Sequence, residues 1–297
     1  MASPNLSVTR AAVLVAVAAV SLSACGGGPH HSATTTSAMT RPERILRAPG
    51  NLLAAAAPQQ NDTMWVLAGS ARSRGLFQLD PSNGHMLGSI SVSKAAQSVA
   101  QSSTGLLGLA VGTARSGALE ILDSHTAKVI RTVPLPAPAR DVVVGSDGTT
   151  FYVLTGWPST ASVSIVNSRS GRIRGAVPVP RGTVSFVPDV QQSSLYALQA
   201  NGLLSQIAIA GGKVRSTFRI GDSGASLALS PDGTTLYALK DTDAAANIAT
   251  VDVATQSVRR ALPAPSNARE ILVSASGSQL YEMVGTPAYG NIQVFGA

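Results

Sequence analysis

Two dipeptides concentrate charge chemistry in this chain, Arg140-Asp141 and Arg269-Glu270. A guanidinium is a planar, permanently charged fork that grips a carboxylate or phosphate through two parallel hydrogen bonds. Two converging guanidiniums would therefore clamp a small anion. The acid beside each arginine offers the competing arrangement, an ion pair with a neighbouring element. Other groups carry less. His30 and His31 are adjacent in a Gly/Ser/Thr-rich stretch, and two ligands on such a segment make a weak metal site. No His-x-x-x-His or Cys-x-x-Cys exists, so a zinc site is not expected. Asp241-Thr242-Asp243 starts like a calcium loop but lacks the glycine at the sixth position and the distal glutamate. No glycine-rich phosphate loop precedes a helix. No catalytic set, metal or cofactor is expected.

The elements that would position these residues follow from an internal repeat. Ser146-Asp147-Gly148-Thr149-Thr150-Phe151-Tyr152-Val153-Leu154 matches Pro231-Asp232-Gly233-Thr234-Thr235-Leu236-Tyr237-Ala238-Leu239. Weaker copies surround Trp65, Gly108, Tyr196 and Tyr281, so the anchors lie at 65, 108, 152, 196, 237 and 281. Their spacings are 43, 44, 44, 41 and 44 residues. Fifteen residues after the anchor stand Asp80, Asp123, Asn167 and Asp252, with Gly211 and Gly296 in the other repeats. These side chains are expected to cap turns, which removes three carboxylates from the catalytic candidates. Pro134, Pro178 and Pro263, each followed two residues later by another proline, mark the handover between repeats. Proline is tolerated there, on an outer edge strand that needs no ladder donor.

Each repeat holds about four short apolar stretches, in the third at 140–144, 150–154, 161–166 and 172–177. The Asp-Gly pairs are hairpin signals, because glycine takes positive φ without a Cβ clash. Four strands every 40–45 residues are the signature of a propeller blade. The expected fold is an all-β, six-bladed β-propeller over 42–297, with seven blades as the alternative. Pro231-Asp232-Gly233-Thr234-Thr235-Leu236-Tyr237 resembles the YVTN-type repeats of surface-layer and lactonase-like propellers. That resemblance implies the fold and leaves the function open. The final repeat has three strands, near 269–273, 278–283 and 290–295. Arg44 to Asn51 matches the phase of Arg260 to Asn267, so 43–48 should pair with the C-terminal strands and close the ring.

In this frame Arg140 and Arg269 occupy one position, twelve residues before the anchor, where other repeats have Leu53, Ala96, Val184 and Ala225. That position begins the innermost strand. Three repeats separate the two arginines, which places them across the channel mouth as a candidate anion site. Gly221-Asp222-Ser223-Gly224 resembles the nucleophile motif of trypsin-like proteases, but no Gly-Pro follows and no histidine motif matches. His85 and His125 fall in equivalent outer turns, a poor place for a shared active site.

Residues 1–24 read as an export signal. Arg10 precedes the small-apolar run Ala11 to Val20, too short to span a bilayer. Leu22-Ser23-Ala24-Cys25 then resembles a bacterial lipobox, which implies acylation of Cys25 at the new N-terminus. Cys25 is the chain's only cysteine, so an internal disulfide is excluded. Acyl chains anchor a protein stably when two or more are present. Residues 25–41 form a flexible Gly/Ser/Thr-rich tether.

Composition agrees with an envelope role. The net charge is +7, yet charged residues are only 12% and aromatics 4% of the chain. The basic residues are scattered, which argues against nucleic acid as a partner. A mildly basic surface suits an anionic membrane. The expectation is a membrane-anchored, extracytoplasmic binding or scaffold module, with an envelope protein or small anionic ligand as partner. The alternative is a lactonase-like hydrolase at the channel mouth.

Overall fold

The Asp-Gly turns behave as hairpin corners. In the third repeat Gly145 N–H bonds Thr150 O at 2.8 Å, and Gly148 N–H bonds Gly145 O at 2.9 Å. Gly148 takes φ +62°, which a side chain would resist. Asp147 accepts from the N–H groups of Thr149 and Thr150, fixing the corner. Strand-forming residues run out on both sides, since β-branched and aromatic side chains suit a pleated, half-buried surface. The computed structural model describes residues 41–59, 63–70, 72–156, 160–241, 246–285 and 290–296.

Among those residues lie 24 strands and one 3-10 turn, Ala210–Gly212. The first, β1 (Arg44–Ala48), is followed by blade one: β2 (Leu52–Ala56), β3 (Met64–Gly69), β4 (Arg74–Leu79) and β5 (Met86–Val92). Blade two is β6 (Ala96–Gln101), β7 (Leu106–Gly112), β8 (Gly117–Asp123) and β9 (Val129–Leu135). Blade three is β10 (Ala139–Val144), β11 (Thr150–Thr155), β12 (Ala161–Asn167) and β13 (Ile173–Val179). Blade four is β14 (Thr183–Pro188), β15 (Ser194–Gln199), β16 (Leu203–Ala208) and β17 (Val214–Arg219). Blade five is β18 (Ser226–Leu229), β19 (Thr235–Asp241), β20 (Ala246–Asp252) and β21 (Ser257–Ala264). Blade six is β22 (Ala268–Val273), β23 (Gln279–Gly285), β24 (Gly290–Gly296) and the returning β1. Six separate four-stranded antiparallel sheets make a six-bladed β-propeller, with almost no helix.

The ring closes as the repeat phase predicts. β1 pairs antiparallel with β24, Arg44 opposite Val294 and Ala48 opposite Gly290. The core is six wedges, one between each pair of neighbouring blades. The closing wedge joins Leu46, Leu52 and Val66 to Tyr281, Ile292 and Val294. Turn-capping by the expected side chains is also observed. Asp80, Asp123, Asn167 and Asp252 each accept from backbone N–H or hydroxyl groups two or three residues on. Asp80 and Asp123 are half-buried and Asp252 is buried, and the bonds hold all three below the usual acid range. Pro134, Pro178 and Pro263 lie on the outermost strands β9, β13 and β21.

One expected equivalence is corrected. In blade two the repeat position shared with Arg140 and Arg269 belongs to Gln97, not Ala96. The hairpin between β6 and β7 closes at Ser102 and Leu106, one residue tighter than the Gly145–Thr150 corner. A fixed offset from the anchor therefore slips by one there.

Candidate functional site

In five of the six blades the innermost strand carries a recurrent irregularity near its start, whereas β18 of blade five pairs in unbroken register. Register shifts fall between Leu52 and Ala54, Ala96 and Ser98, Ala139 and Asp141, Thr183 and Ser185, and Ala268 and Glu270. The extra residues are Leu53, Gln97, Arg140, Val184 and Arg269. A bulge leaves its extra residue unpaired and re-aims the residues after it. Here the next positions, Ala54, Ser98, Asp141, Ser185 and Glu270, form one layer around the channel together with Ser226 of blade five.

That layer stitches blade to blade. Ser98 Oγ accepts from Val142 N–H at 3.3 Å, Ser185 Oγ from Leu227 N–H at 3.0 Å, and Ser226 Oγ from Ile271 N–H at 3.2 Å. Glu270 Oε2 completes the series across the ring closure, accepting from Ala55 N–H at 3.0 Å. Each bond satisfies a backbone donor that blade packing removes from water. Asp141 departs from the pattern. It accepts from the Ser98 hydroxyl at 2.7 Å and from its own strand at Val142 N–H, 2.8 Å.

Above this layer the channel encloses about 470 Å³ and runs to the hairpin corners around Ser103, Ser146, Asp189 and Pro231. Asp141 and Glu270 lie in its lining, on blades three and six, and so on opposed walls. Half-buried apolar residues such as Val143, Leu229 and Leu272 line the wall between floor and mouth. Among the described residues no Lys, Arg or His lines it. Burial pushes Asp141 up to about 6, against the pull of its hydrogen bonds and of Arg140. Burial, reinforced by the charge of Asp141, pushes Glu270 up to about 8. At pH 7 the floor then carries one carboxylate and one carboxylic acid.

Arg140 and Arg269 are the bulge residues that precede this layer, so they lie on the far side of the floor from the cavity. Arg140 is half-buried, and burial lowers its guanidinium against the attraction of Asp141. Arg269 is exposed, its stem beside Gly285. The structure thus brings Asp141 and Glu270 into one cavity and places the arginines at the opposite mouth. His85 and His125 sit in exposed outer turns, as expected. Asp222 of the Gly221–Gly224 segment pairs with Arg219 at 3.8 Å on the surface. The lipobox Leu22, Ser23, Ala24 and Cys25, together with His30, His31, Thr242 and Asp243, lies outside the described residues.

Sequence reasoning did not single out Ser98, Ser185, Ser226 or Gln101. The serines had a signal, since the same residue type recurs at one repeat position. Glu282 was also missed. It is fully buried on β23, with neither carboxyl oxygen bonded, and burial pushes it up to about 7.

No protein-family model matches the chain, and no curated protein matches it. Among solved structures the chain is similar to hydrazine synthase of Kuenenia stuttgartiensis. The TM-score is 0.62 at 15% identity, covering 83% of each chain. At that identity the likeness shows the fold alone. Among the described residues no helix is long and apolar enough to cross a membrane.

Proposed function

We propose that the protein is a lipid-anchored, extracytoplasmic propeller that serves as a binding module at the cell envelope and takes a small ligand into its channel. The observation that carries this reading is the cavity of about 470 Å³ ending on Asp141 and Glu270. Its volume suits a small molecule, and its few polar groups converge at the floor of an apolar wall. Lactonase-like hydrolysis is the weaker reading, since no His lines the cavity and among the described residues no three His, Cys, Asp or Glu are grouped to hold a metal. The anchor rests on Leu22-Ser23-Ala24-Cys25.

Both halves of the proposal are testable. Full-length protein should sediment with membranes and incorporate labelled palmitate, and Cys25→Ala should abolish the label and release the chain. Unlabelled wild type would remove the anchor from the account. For the channel, a panel of envelope metabolites in a thermal-shift assay should contain a compound that raises the Tm of wild type by mass action. Ser226→Leu narrows the floor and should lose that shift. A panel in which nothing shifts, or shifts both proteins alike, contradicts channel binding. Anion binding by Arg140 and Arg269 is a separate proposal for the opposite mouth. Phosphate should then stabilise wild type and fail to stabilise the Arg140→Gln, Arg269→Gln double variant.

A further inference from the structure

The chain carries 22 basic and 15 acidic residues, yet the lining of its cavity reverses that balance. Asp141, Asp189 and Glu270 line it, and among the described residues no Lys or Arg does. The polar wall also holds a surplus of acceptors. Gln101 is 5% exposed, lines the cavity, and its side-chain oxygen has no hydrogen-bond partner. Each floor carboxyl uses part of its capacity on Ala55, Val142 or Ser98, and a carboxylate can accept about four bonds. Such a wall is complementary to a ligand that brings donors and positive charge.

A bare metal ion fits this wall poorly. Calcium takes six to eight oxygens at about 2.3–2.6 Å. The two floor acids stand on opposed blades, and among the described residues no third acid or histidine joins either to make a metal-holding group. An ammonium needs only a few acceptors and can keep an apolar body against the half-buried Val143, Leu229 and Leu272.

We infer that the channel binds a small organic amine, its ammonium held at the Asp141–Glu270 floor and its aliphatic part against the wall. This inference rests on the channel-binding reading above and names the ligand class. Transfer is by binding alone, with Glu270 giving up its proton to solvent as the ammonium arrives.

The test is calorimetric titration of the full, detergent-solubilised chain near pH 7 with pentylamine, 1,5-diaminopentane, pentan-1-ol, pentanoate and calcium chloride. The amines should bind, and the measured heat should vary with buffer ionisation enthalpy as a proton is released. Glu270→Gln and Asp141→Asn should each weaken amine binding at least tenfold while far-ultraviolet circular dichroism stays that of wild type. Lys240→Gln, outside the cavity lining, should leave it unchanged. Binding of pentan-1-ol or pentanoate in preference to the amines overturns the amine assignment and leaves the channel as a ligand site. Calcium binding lost in both carboxyl variants transfers the floor to a metal. Failure of all five probes, with no metabolite shifting Tm either, removes the channel reading itself.

Discussion

At the residue scale, three carboxyls are held where water solvates them poorly, and they behave differently. Asp141 and Glu270 face a cavity and retain hydrogen bonds to their neighbours. Glu282 faces the wedge between blades five and six. It occupies the repeat position filled by Val66, Leu109 and Val153, all fully buried apolar residues. A buried acceptor without a partner costs on the order of 1–3 kcal/mol. Glu282→Leu removes that cost and fits the volume, so it should raise Tm by a few degrees, with a larger gain at pH 8 than at pH 5. Thermal melts at the two pH values read this directly, and a destabilised variant would show that the carboxyl has a partner in solution.

At the element scale, the returning strand β1 converts a row of five full sheets and one deficient one into a closed ring. Its inward anchor is Leu46, 1% exposed in the wedge with Tyr281 and Ile292. Truncating such a side chain typically costs about 2–5 kcal/mol. Leu46→Ala should lower stability by that amount in denaturant titration, whereas the exposed neighbour Ile45→Ala should leave it within about 0.5 kcal/mol. Equal effects would mean that β1 does not hold the ring shut. Much of this architecture was legible beforehand. Aspartate-glycine corners, aromatic anchors and prolines on outer strands each follow local rules, and their common phase exposed both the blade count and the closure. The channel was less legible for a local reason. A bulge inserts one residue at the start of the innermost strand, so alternation cannot tell whether Arg140 or Asp141 faces inward. The tighter corner of blade two then displaced the equivalence of Gln97.

At the scale of the whole molecule, these groups set an unusual dependence of stability on pH. Glu270, Glu282 and Asp141 have folded values raised to about 8, 7 and 6. Their protonated forms favour the fold, so that stability is complete at acid pH and is lost as pH rises from the unfolded values toward 8. The turn-capping aspartates act in the opposite sense. Their values are lowered, so their contribution is intact above the unfolded value and is lost only as pH falls through the folded one. Maximum stability should therefore lie near pH 5, with Tm declining from there to pH 8. A Tm that rises over that interval would contradict the assignment.

That the channel floor is a half-buried pair of carboxyls poised for a ligand is tested most simply by the titration of Glu270 itself. The chain has only four glutamates, Glu43, Glu120, Glu270 and Glu282. Side-chain 13C labelling makes each carboxyl visible to nuclear magnetic resonance, and single Gln variants assign them. A carboxyl pair at the floor gives one glutamate that titrates near pH 8, disappears in Glu270→Gln, and moves to lower pH in Asp141→Asn. A Glu270 carboxyl that titrates below pH 5, indifferent to Asp141, would show an open and solvated channel and contradict the account.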